Sequence, residues 1–306
     1  MTKFLSENKS RFIVGIFNYE TFPKKMIGKN IENGFFDKII KSVEFHADEI
    51  VAFFTCLRLE IYICTSDEIK LEKIREFFLK NKFKVLCGKK NIINRITQLC
   101  SGRLSEIIGE LQIETQVMDV FESQLEEKSK LKEMYKIAFK KAVSFRKEKN
   151  FYNNENYATI ALKFIDDLTE SKIKGLLIFG AGMISKEFVK ACNYYKKEIA
   201  KFFITDIDRK KSKDLRKFLL HRNVEIINPK QINNILRNID VIFAAAGGKY
   251  KICNYIEPLL IIDITSPPIF SLKRCPKTKI ITMYDEIYKR KISQINDTFM
   301  SKYKQF

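Results

Sequence analysis

Apolar and polar positions repeat with two different periods along the first half of the chain. Short runs rich in β-branched and aromatic residues are typical of strands. These runs are 11–20, 51–54 and 60–64. Longer segments repeat their apolar residues every three to four positions, which predicts amphipathic helices. These segments are 30–45, 71–81, 91–102, 105–130 and 131–150. The first half therefore reads as an α+β domain.

From residue 173 onward, apolar runs alternate regularly with helical segments. Such alternation is typical of βαβ units, which build a parallel sheet with helices on both faces. The apolar runs are 174–182, 199–208, 224–227, 240–248, 258–268 and 277–285. The sequence therefore predicts the α/β class, with an N-terminal α+β domain followed by a Rossmann-type domain, a doubly wound parallel sheet.

The boundary between these two patterns is a polar stretch at 149–157. We expect a first domain over 1–155, a second over 156–287, and a short C-terminal helix or tail over 288–306. A length of 306 residues fits two domains, and 45% hydrophobic residues are enough for two cores. A disordered or fibrous chain is excluded on the same grounds.

The chain is strongly basic, with 56 Lys and Arg residues against 37 Asp and Glu residues and a formal charge of +19. A charge of this sign favours a polyanionic partner such as nucleic acid. The alternative is a compositional bias of the genome, because the chain is also rich in Lys, Ile, Asn and Phe and contains no Trp.

Cysteine and histidine usage argues against a zinc site. The seven cysteines are irregularly spaced without a CxxC pair, and only His46 and His221 could join them. No apolar run reaches 18 residues, and the N-terminal segment has no hydrophobic signal core. We therefore expect a cytoplasmic protein with reduced thiols and no membrane association.

A glycine-rich turn opens the second domain. Gly180 and Gly182 lie between a buried apolar run and a helical segment, where a dinucleotide site needs a tight turn and close backbone approach to a pyrophosphate. The third glycine of this pattern is Ser185. The alternative is a Rossmann shell without a cofactor. The candidate cofactor residues are Gly180, Ala181, Gly182, Met183, Ile184 and Ser185.

Acidic residues follow the next strand of this domain. A carboxylate at Asp206 or Asp208 would bind a ribose 2′-hydroxyl and favour NAD, whereas cations favour the 2′-phosphate of NADP. Cations follow at once, at 209–211, so the choice stays open at this point. By analogy with the fold, residues 244–248 are expected to pass close to the nicotinamide riboside.

Cys56 lies where two strand-like runs meet, with Arg58 two residues further on. A thiol attacks as its thiolate, and an adjacent guanidinium lowers the thiol pKa. From the residues alone, the alternative is a small buried hydrophobe on a strand.

Five motifs resemble those of glutamyl-tRNA reductases, in the family's order over residues 11–287. They are GIFNYETFP (15–23), TCLRLEIY (55–62), SGRLSEIIGELQIETQV (101–117), GAGMIS (180–185) and DITSPP (263–268). The resemblance implies a thioester route: a cysteine attacks glutamyl-tRNA(Glu), and hydride from NADPH, with NADH as the alternative, yields glutamate-1-semialdehyde, the first precursor of tetrapyrroles.

The resemblance also implies roles for individual residues of the N-terminal catalytic, glutamyl-tRNA-binding domain. Cys56 would be the nucleophile, and a faster-alkylating thiol than the other six. Arg95 stands at the position of a histidine that is important for activity in the family. Arg58 would pair with the glutamate carboxylate. The implied substrate-binding residues are Thr55, Cys56, Leu57, Arg58, Ser105, Glu110, Leu111, Gln112 and Gln116.

The chain departs from the family at several positions. Leu57 replaces an Asn, Tyr19 a His, Leu111 a Pro and Pro268 an Arg, and Ile207 falls where an Arg often meets the 2′-phosphate. The family's C-terminal helical dimerisation domain would follow the second domain, and we expect it to be absent, which leaves the oligomeric state open.

The implied partners are glutamyl-tRNA(Glu) and, as a candidate, the next enzyme, glutamate-1-semialdehyde aminomutase. One alternative is a non-catalytic relative that acts as a binding or regulatory protein. Another is a dehydrogenase of unrelated substrate that shares only the Rossmann half.

Overall fold

The computed structural model describes residues 11–169, 172–219, 221–246, 260–270 and 278–303. The chain divides into two compact units, and the division falls between Asn154 and Glu155. Within the described residues, no helix combines the length and the hydropathy that crossing a bilayer requires.

The first unit is a four-stranded antiparallel sheet with helices on both faces. Its strands are β1 (Arg11–Asn18), β2 (Glu49–Thr55), β3 (Arg58–Thr65) and β4 (Lys84–Cys87). Its helices are α1 (Lys24–Glu32), α2 (Phe35–Glu44), α3 (Glu68–Lys80), α4 (Lys89–Cys100), α5 (Gln112–Gln124) and α6 (Lys130–Lys149). The strand order is β2-β3-β1-β4.

Strand β3 is buried along its whole length because both faces of the sheet are covered. Its alternate residues Leu59 and Ile61 pack in the core on the side of α1, α2 and α3. Tyr62 packs in the core on the side of α4, α5 and α6. Arg58 and Glu60 have the same parity as Tyr62, so their charged side chains point toward α4–α6 and must be paired there.

Two helix predictions for this unit were wrong in their bounds. The predicted helix over 30–45 is two helices, because Gly34 adopts a left-handed conformation with φ +61°. The predicted helix over 105–130 begins only at Gln112. Residues 101–111 form a turn-rich loop instead, in which Gly102 and Gly109 have φ of +72° and +82°. Periodicity of the apolar residues alone does not detect this loop.

The second unit is a parallel sheet of six strands with helices on its faces. Its strands are β5 (Ile173–Phe179), β6 (Ile199–Thr205), β7 (Val224–Ile226), β8 (Val241–Ala244), β9 (Leu260–Asp263) and β10 (Lys279–Thr282). Its helices are α7 (Tyr157–Leu168), α8 (Met183–Tyr194), α9 (Arg209–Arg216), α10 (Ile232–Ile235) and α11 (Glu286–Ser301).

The order of these strands is β10-β9-β8-β5-β6-β7, and every pair is parallel. Counted from β5, this is the order 3-2-1-4-5-6 of dinucleotide-binding folds, in reverse direction. The strand order reverses between β5 and β8, and ligands bind such sheets outside the carboxyl ends of the strands at that point. The predicted fold class is confirmed.

Candidate functional site

Cys56 lies in a two-residue turn between β2 and β3 that is fixed by hydrogen bonds. Thr55 faces Arg58 across the turn, and the Thr55 hydroxyl accepts from the Leu57 amide at 3.2 Å. The Leu57 carbonyl accepts from the Tyr19 amide at 3.0 Å, which ties the turn to the end of β1. The Leu57 side chain is buried and the Cys56 side chain is half-buried. Hydrogen bonds of Thr55 and Leu57 therefore fix the turn that carries the thiol.

The loop 101–111 brings polar side chains to the surroundings of this turn. Its two ends are joined by the Gly109 amide, which donates to the Gly102 carbonyl at 3.0 Å. A Cβ on Gly102 would lie 2.9 Å from the carbonyl oxygen of Glu110, so only glycine fits this closure. The loop carries Ser105 and Glu106, and the Glu106 carboxylate forms an ion pair with Lys24.

The loop is held from behind by Arg146 on α6, which is 1% exposed. Its guanidinium donates to the carbonyls of Cys100 at 3.1 Å, Gly109 at 2.9 Å, Glu110 at 2.7 Å and Phe151 at 3.0 Å. Planar donors that fan out in this way suit several carbonyls at once. Arg146 therefore determines the shape of the loop.

Sequence reasoning missed Arg146 as a site residue. The signal was present, because Arg146 follows Ala138 and Ala142 at intervals of four along the buried stripe of α6. A cation inside an apolar stripe must find acceptors, and here it finds backbone carbonyls of the loop.

The electrostatics of Cys56 differ from the sequence-based expectation. Burial raises the pKa of the Cys56 thiol to about 12, and the carboxylates of Glu106 and Glu110 raise it further, against the opposing charge of Lys24. The expected lowering of this pKa by Arg58 is therefore wrong. The physical reason is that the Arg58 guanidinium is turned inward, where it donates to the Leu104 carbonyl and lies 3.5 Å from Glu60.

Arg95 also lies in a buried charge network. Its Nε and a terminal nitrogen donate to the two carboxylate oxygens of Glu60 at 3.2 Å and 2.7 Å, and the Tyr62 hydroxyl donates to the same carboxylate at 2.7 Å. Burial alone would raise the pKa of Glu60, but the charge and hydrogen bonds of Arg95, together with the Arg58 charge and the Tyr62 hydroxyl, outweigh burial and lower that pKa. The structure thus places Arg95 on Glu60, in a bidentate fork.

Glu110 is a buried carboxyl with an unusual proton affinity. Burial raises its pKa to about 7, although the Ser105 hydroxyl and the Arg58 cation oppose the shift. Next to it, at the start of α5, the side-chain amide nitrogen of Gln112 is buried and has no hydrogen-bond partner among the described residues. Gln116 is half-buried one turn later, and Leu111 is exposed. This corner offers spare polar groups to a ligand.

Replacing Glu110 with glutamine should remove a pH-dependent cost of folding. The folded pKa of about 7 lies above the ordinary 4.5, so the native state holds more protons than the unfolded state between those values and loses stability as pH rises. At pH 8 the Glu110→Gln variant should be more stable than the wild type by about 3 kcal/mol, and at pH 4 the two should match. Urea unfolding at both pH values measures this, and a constant difference would contradict it.

The second candidate site is the turn between β5 and α8. Gly180 has φ +94°, and a Cβ there would lie 2.7 Å from the Cα of Ala246. Gly182 precedes α8, and a Cβ there would meet nothing within 4 Å. The Ser185 hydroxyl donates to the Gly180 carbonyl at 2.6 Å, so Ser185 stabilises the turn from inside the fold.

The residues of this turn fit a dinucleotide. The first amides of α8, at Met183 and Ile184, have no intrahelical acceptor, and the N-cap residue Gly182 has no side chain that could cap them. The space above Gly182 lets a pyrophosphate approach those amides. Ala181 contributes its amide to Asp206. Of the residues expected near the nicotinamide riboside, Ala244 ends β8 and Ala245 and Ala246 follow it, whereas Gly247 and Gly248 lie outside the described residues.

The two glycines of this turn should respond differently to substitution. A valine at Gly182 occupies open space at an ordinary φ of −79°, so folding should be unaffected while nucleotide affinity falls at least about tenfold. An alanine at Gly180 meets backbone at a left-handed φ and should destabilise the fold. Thermal melting and nucleotide titration separate these effects; unchanged affinity of Gly182→Val would contradict the assignment.

Among the described residues, no three His, Cys, Asp or Glu side chains come together as a metal site.

One further buried carboxylate holds the loop that follows β9. Asp263 ends β9 and accepts from the amides of Thr265 at 3.0 Å, Ile269 at 2.7 Å and Phe270 at 2.9 Å. It therefore organises the loop that contains the motif DITSPP.

Each of the two units matches a known family model. Residues 16–150 match the family model for the N-terminal domain of glutamyl-tRNAGlu reductase, and residues 159–285 match that for shikimate/quinate 5-dehydrogenase. Glutamyl-tRNA reductase of Clostridium beijerinckii is 34% identical over 103 residues, covering 32% of this chain and 25% of that protein.

Longer matches are weaker in identity. Glutamyl-tRNA reductase of Methanosphaera stadtmanae is 26% identical, over 72% of this chain and 56% of its own length. Glutamyl-tRNA reductase of Picrophilus torridus is 25% identical, over 78% of this chain and 58% of its own length. The chain thus spans between a quarter and three fifths of these relatives. Among solved structures, glutamyl-tRNA reductase from Methanopyrus kandleri has a TM-score of 0.42 and 16% identity, covering 95% of this chain and 78% of that one.

Proposed function

Because the chain belongs to the glutamyl-tRNA reductase family, we propose that it reduces glutamyl-tRNA(Glu) to glutamate-1-semialdehyde, the first step of tetrapyrrole (porphyrin) biosynthesis from glutamate. The observation that carries the proposal is the position of Cys56. Its thiol lies in a turn fixed by hydrogen bonds, within electrostatic range of Glu106 and Glu110 on the glycine-closed loop.

In the first step, the Cys56 sulfur attacks the ester carbonyl carbon of glutamyl-tRNA. The new C–S bond replaces the ester C–O bond, the tRNA leaves with its 3′-terminal hydroxyl, and the proton lost by the thiol balances that hydroxyl. A thioester accepts hydride more readily than the ester it replaces. Covalent attachment also fixes the glutamyl group next to the side chains that recognise it.

The thiol must lose its proton although its pKa is raised to about 12 in the ligand-free protein. The carboxylate forms of Glu106 and Glu110 oppose the thiolate. The α-ammonium of a bound glutamyl group would offset them, because a cation near a thiol favours the thiolate. We therefore propose that substrate binding itself activates Cys56.

The proposed pocket residues divide into contact and positioning roles. Ser105, Glu110 and Gln112 would contact the glutamyl group, since the buried amide of Gln112 still has hydrogen-bonding capacity. Gln116 and Thr55 would line the pocket beside them, with the exposed Leu111 at its rim and Leu57 packed under the turn.

Arg58 and Arg95 would act through Glu60. Both guanidinium groups face that buried carboxylate, and three charges held together in this way stiffen the strand that carries the turn. Arg95 is thus proposed as a positioning residue, whereas the family resemblance implied a catalytic one. The Arg58 guanidinium also donates to the Leu104 carbonyl, and this hydrogen bond would hold the loop 101–111 against β3.

The turn 180–185 is proposed to hold the reduced nicotinamide nucleotide. Such a group, when bound, supplies the hydride that converts the thioester to the aldehyde and releases the thiol. The amides of Met183 and Ile184 would bind its pyrophosphate, and Gly180, Ala181 and Ser185 would keep the turn in shape. The family resemblance implies NADPH, with NADH as the alternative.

The charge of +19 would support tRNA binding, which is dominated by phosphate contacts.

A partner that consumes the reactive aldehyde is expected, and glutamate-1-semialdehyde aminomutase is the candidate. A second function, a non-catalytic family member that binds or regulates, is favoured by two observations: Arg58 and Arg95 are both engaged on Glu60, and the pKa of the Cys56 thiol is raised.

The decisive experiment supplies purified protein with glutamyl-tRNA(Glu), first without and then with NADPH or NADH. We expect a glutamyl adduct on Cys56 by mass spectrometry in the first case and glutamate-1-semialdehyde in the second. Uncharged tRNA with free glutamate is the control and should give neither. A folded protein that forms neither adduct nor aldehyde, yet still binds the tRNA, would support the non-catalytic function instead.

A further inference from the structure

A cavity of about 240 Å³ opens at the carboxyl ends of β6 and β7, within the second unit. Its lining is mixed, with one carboxylate, one guanidinium, amide and hydroxyl groups, and apolar side chains. The residues that matter here are Asp206, Ile207, Arg209 and Ser212. In a sheet of this order, the end of the second strand is where the adenosine part of a dinucleotide lies.

The carboxylate of Asp206 is fixed at the border between this cavity and the glycine-rich turn. One oxygen accepts from the Ala181 amide at 2.7 Å, and the other accepts from the Asp208 amide at 2.8 Å. No Lys or Arg within the described ranges forms an ion pair with Asp206. A carboxylate has about four acceptor positions, so two remain for hydroxyl donors. Its negative charge is therefore fixed in position and not neutralised by a neighbouring cation.

Ser212 gives a second, independent sign of a ligand. Its side chain is 1% exposed and lines the cavity, yet the hydroxyl has no hydrogen-bond partner in the part of the chain that the structure describes. Buried hydroxyls are usually paired, and an orphaned one at a cavity wall matches a missing ligand. The hydroxyl can either donate or accept, which suits an adenine or a ribose.

The charges around the cavity discriminate between the two nicotinamide nucleotides. NADH presents a ribose 2′-hydroxyl, which donates to a carboxylate, whereas NADPH presents a 2′-phosphate, which a fixed carboxylate repels. Ile207, the next residue, is 74% exposed and apolar, so it offers no charge to a phosphate. Arg209 is exposed to water, and an exposed cation is a weak counterweight to a fixed anion.

We propose that this cavity is the adenosine subsite of the nucleotide and that Asp206 makes the protein select NADH over NADPH. The inference rests on the proposed function only in requiring a nicotinamide nucleotide; it needs neither glutamyl-tRNA nor Cys56. It runs against the family resemblance, which implies NADPH, because Asp206 places a carboxylate at the end of β6 and Ile207 falls where an Arg of the family often meets the 2′-phosphate.

Equilibrium binding of NADH and NADPH to the full chain, followed by nicotinamide fluorescence and by calorimetry, tests this without any turnover. We expect wild-type protein to bind NADH at least about tenfold more tightly. Asp206→Asn keeps an oxygen for the Ala181 amide but removes the charge, and should erase most of that preference. The double variant Asp206→Ser with Ile207→Arg should prefer NADPH.

Two further variants control for nonspecific effects. Asp214→Asn removes one negative charge from α9, the helix that follows Asp206, outside the cavity lining, and should leave the preference unchanged. Ser212→Ala should weaken both nucleotides about equally, by severalfold. Tighter binding of NADPH to wild type, an unchanged ratio in Asp206→Asn, or no binding of either nucleotide to folded protein would overturn the proposal. Binding without aldehyde formation would overturn only the proposed function.

Discussion

Cys56→Ser should abolish glutamate-1-semialdehyde formation, by at least about 10³-fold, while the fold stays intact. A serine hydroxyl attacks poorly without a dedicated base, and the product of its attack is an ester, no better a hydride acceptor than the substrate. Folding should be unaffected because the turn is held by the Thr55 hydroxyl, by the Leu57 carbonyl and by the strand pairing of β2 with β3. Product assay and circular dichroism measure the two effects.

The matched control is Cys87→Ser, which exchanges an exposed thiol at the end of β4. We expect this variant to retain wild-type turnover and an intact glutamyl adduct on Cys56. The Cys56→Ser protein should still bind nucleotide, since the residues of the glycine-rich turn lie in the other unit. Turnover that survives Cys56→Ser would exclude the thioester route. Loss of turnover in both variants would point to a general effect on the protein.

The parts of the fold that the sequence predicts well are those set by local patterns. The strand at 173–179 was predicted, as part of the run 174–182, because the five residues at 175–179 are all apolar or small, as a strand covered on both faces requires. The glycine-rich turn was predicted from Gly180 and Gly182 between an apolar run and a helical segment. The structure gives the reason for the first glycine, because Gly180 adopts φ +94° against the backbone of Ala246, a conformation that few other residues tolerate. In both places, one short segment of the sequence is enough to define the local structure.

The parts that were missed depend on contacts between residues distant in sequence. Residues 105–111 of the loop were predicted as the start of a helix because the apolar residues of 105–130 have helical spacing, whereas the loop is held by Arg146, which lies 36 residues beyond Glu110. The partner of Arg95 is likewise 35 residues away, at Glu60. The direction in which Arg58 points also depends on a distant carbonyl, that of Leu104.

Arg146→Ala should destabilise the first unit by about 3–5 kcal/mol, the largest stability effect expected among these substitutions. The change removes donors from four buried carbonyls, among them those of Gly109 and Glu110, and leaves the Glu114 carboxylate without its 3.0 Å partner. An unmade hydrogen bond at a buried carbonyl costs its full desolvation, so the losses accumulate. Urea unfolding of the first unit measures the change.

The matched control is Lys147→Ala, one residue further along α6 and exposed, which should cost no more than about 0.5 kcal/mol. Arg146→Lys keeps the charge but supplies one compact ammonium in place of a planar fan of donors, so it should recover only part of the lost stability. Hydrogen exchange separates a local from a global effect: in Arg146→Lys the amides of Gly109 and Glu110 should exchange faster while those of β3 stay protected. If the loop amides kept their protection in that variant, the loop would be held by its glycines and its own backbone bonds, and Arg146 would act only as a buried cation of α6.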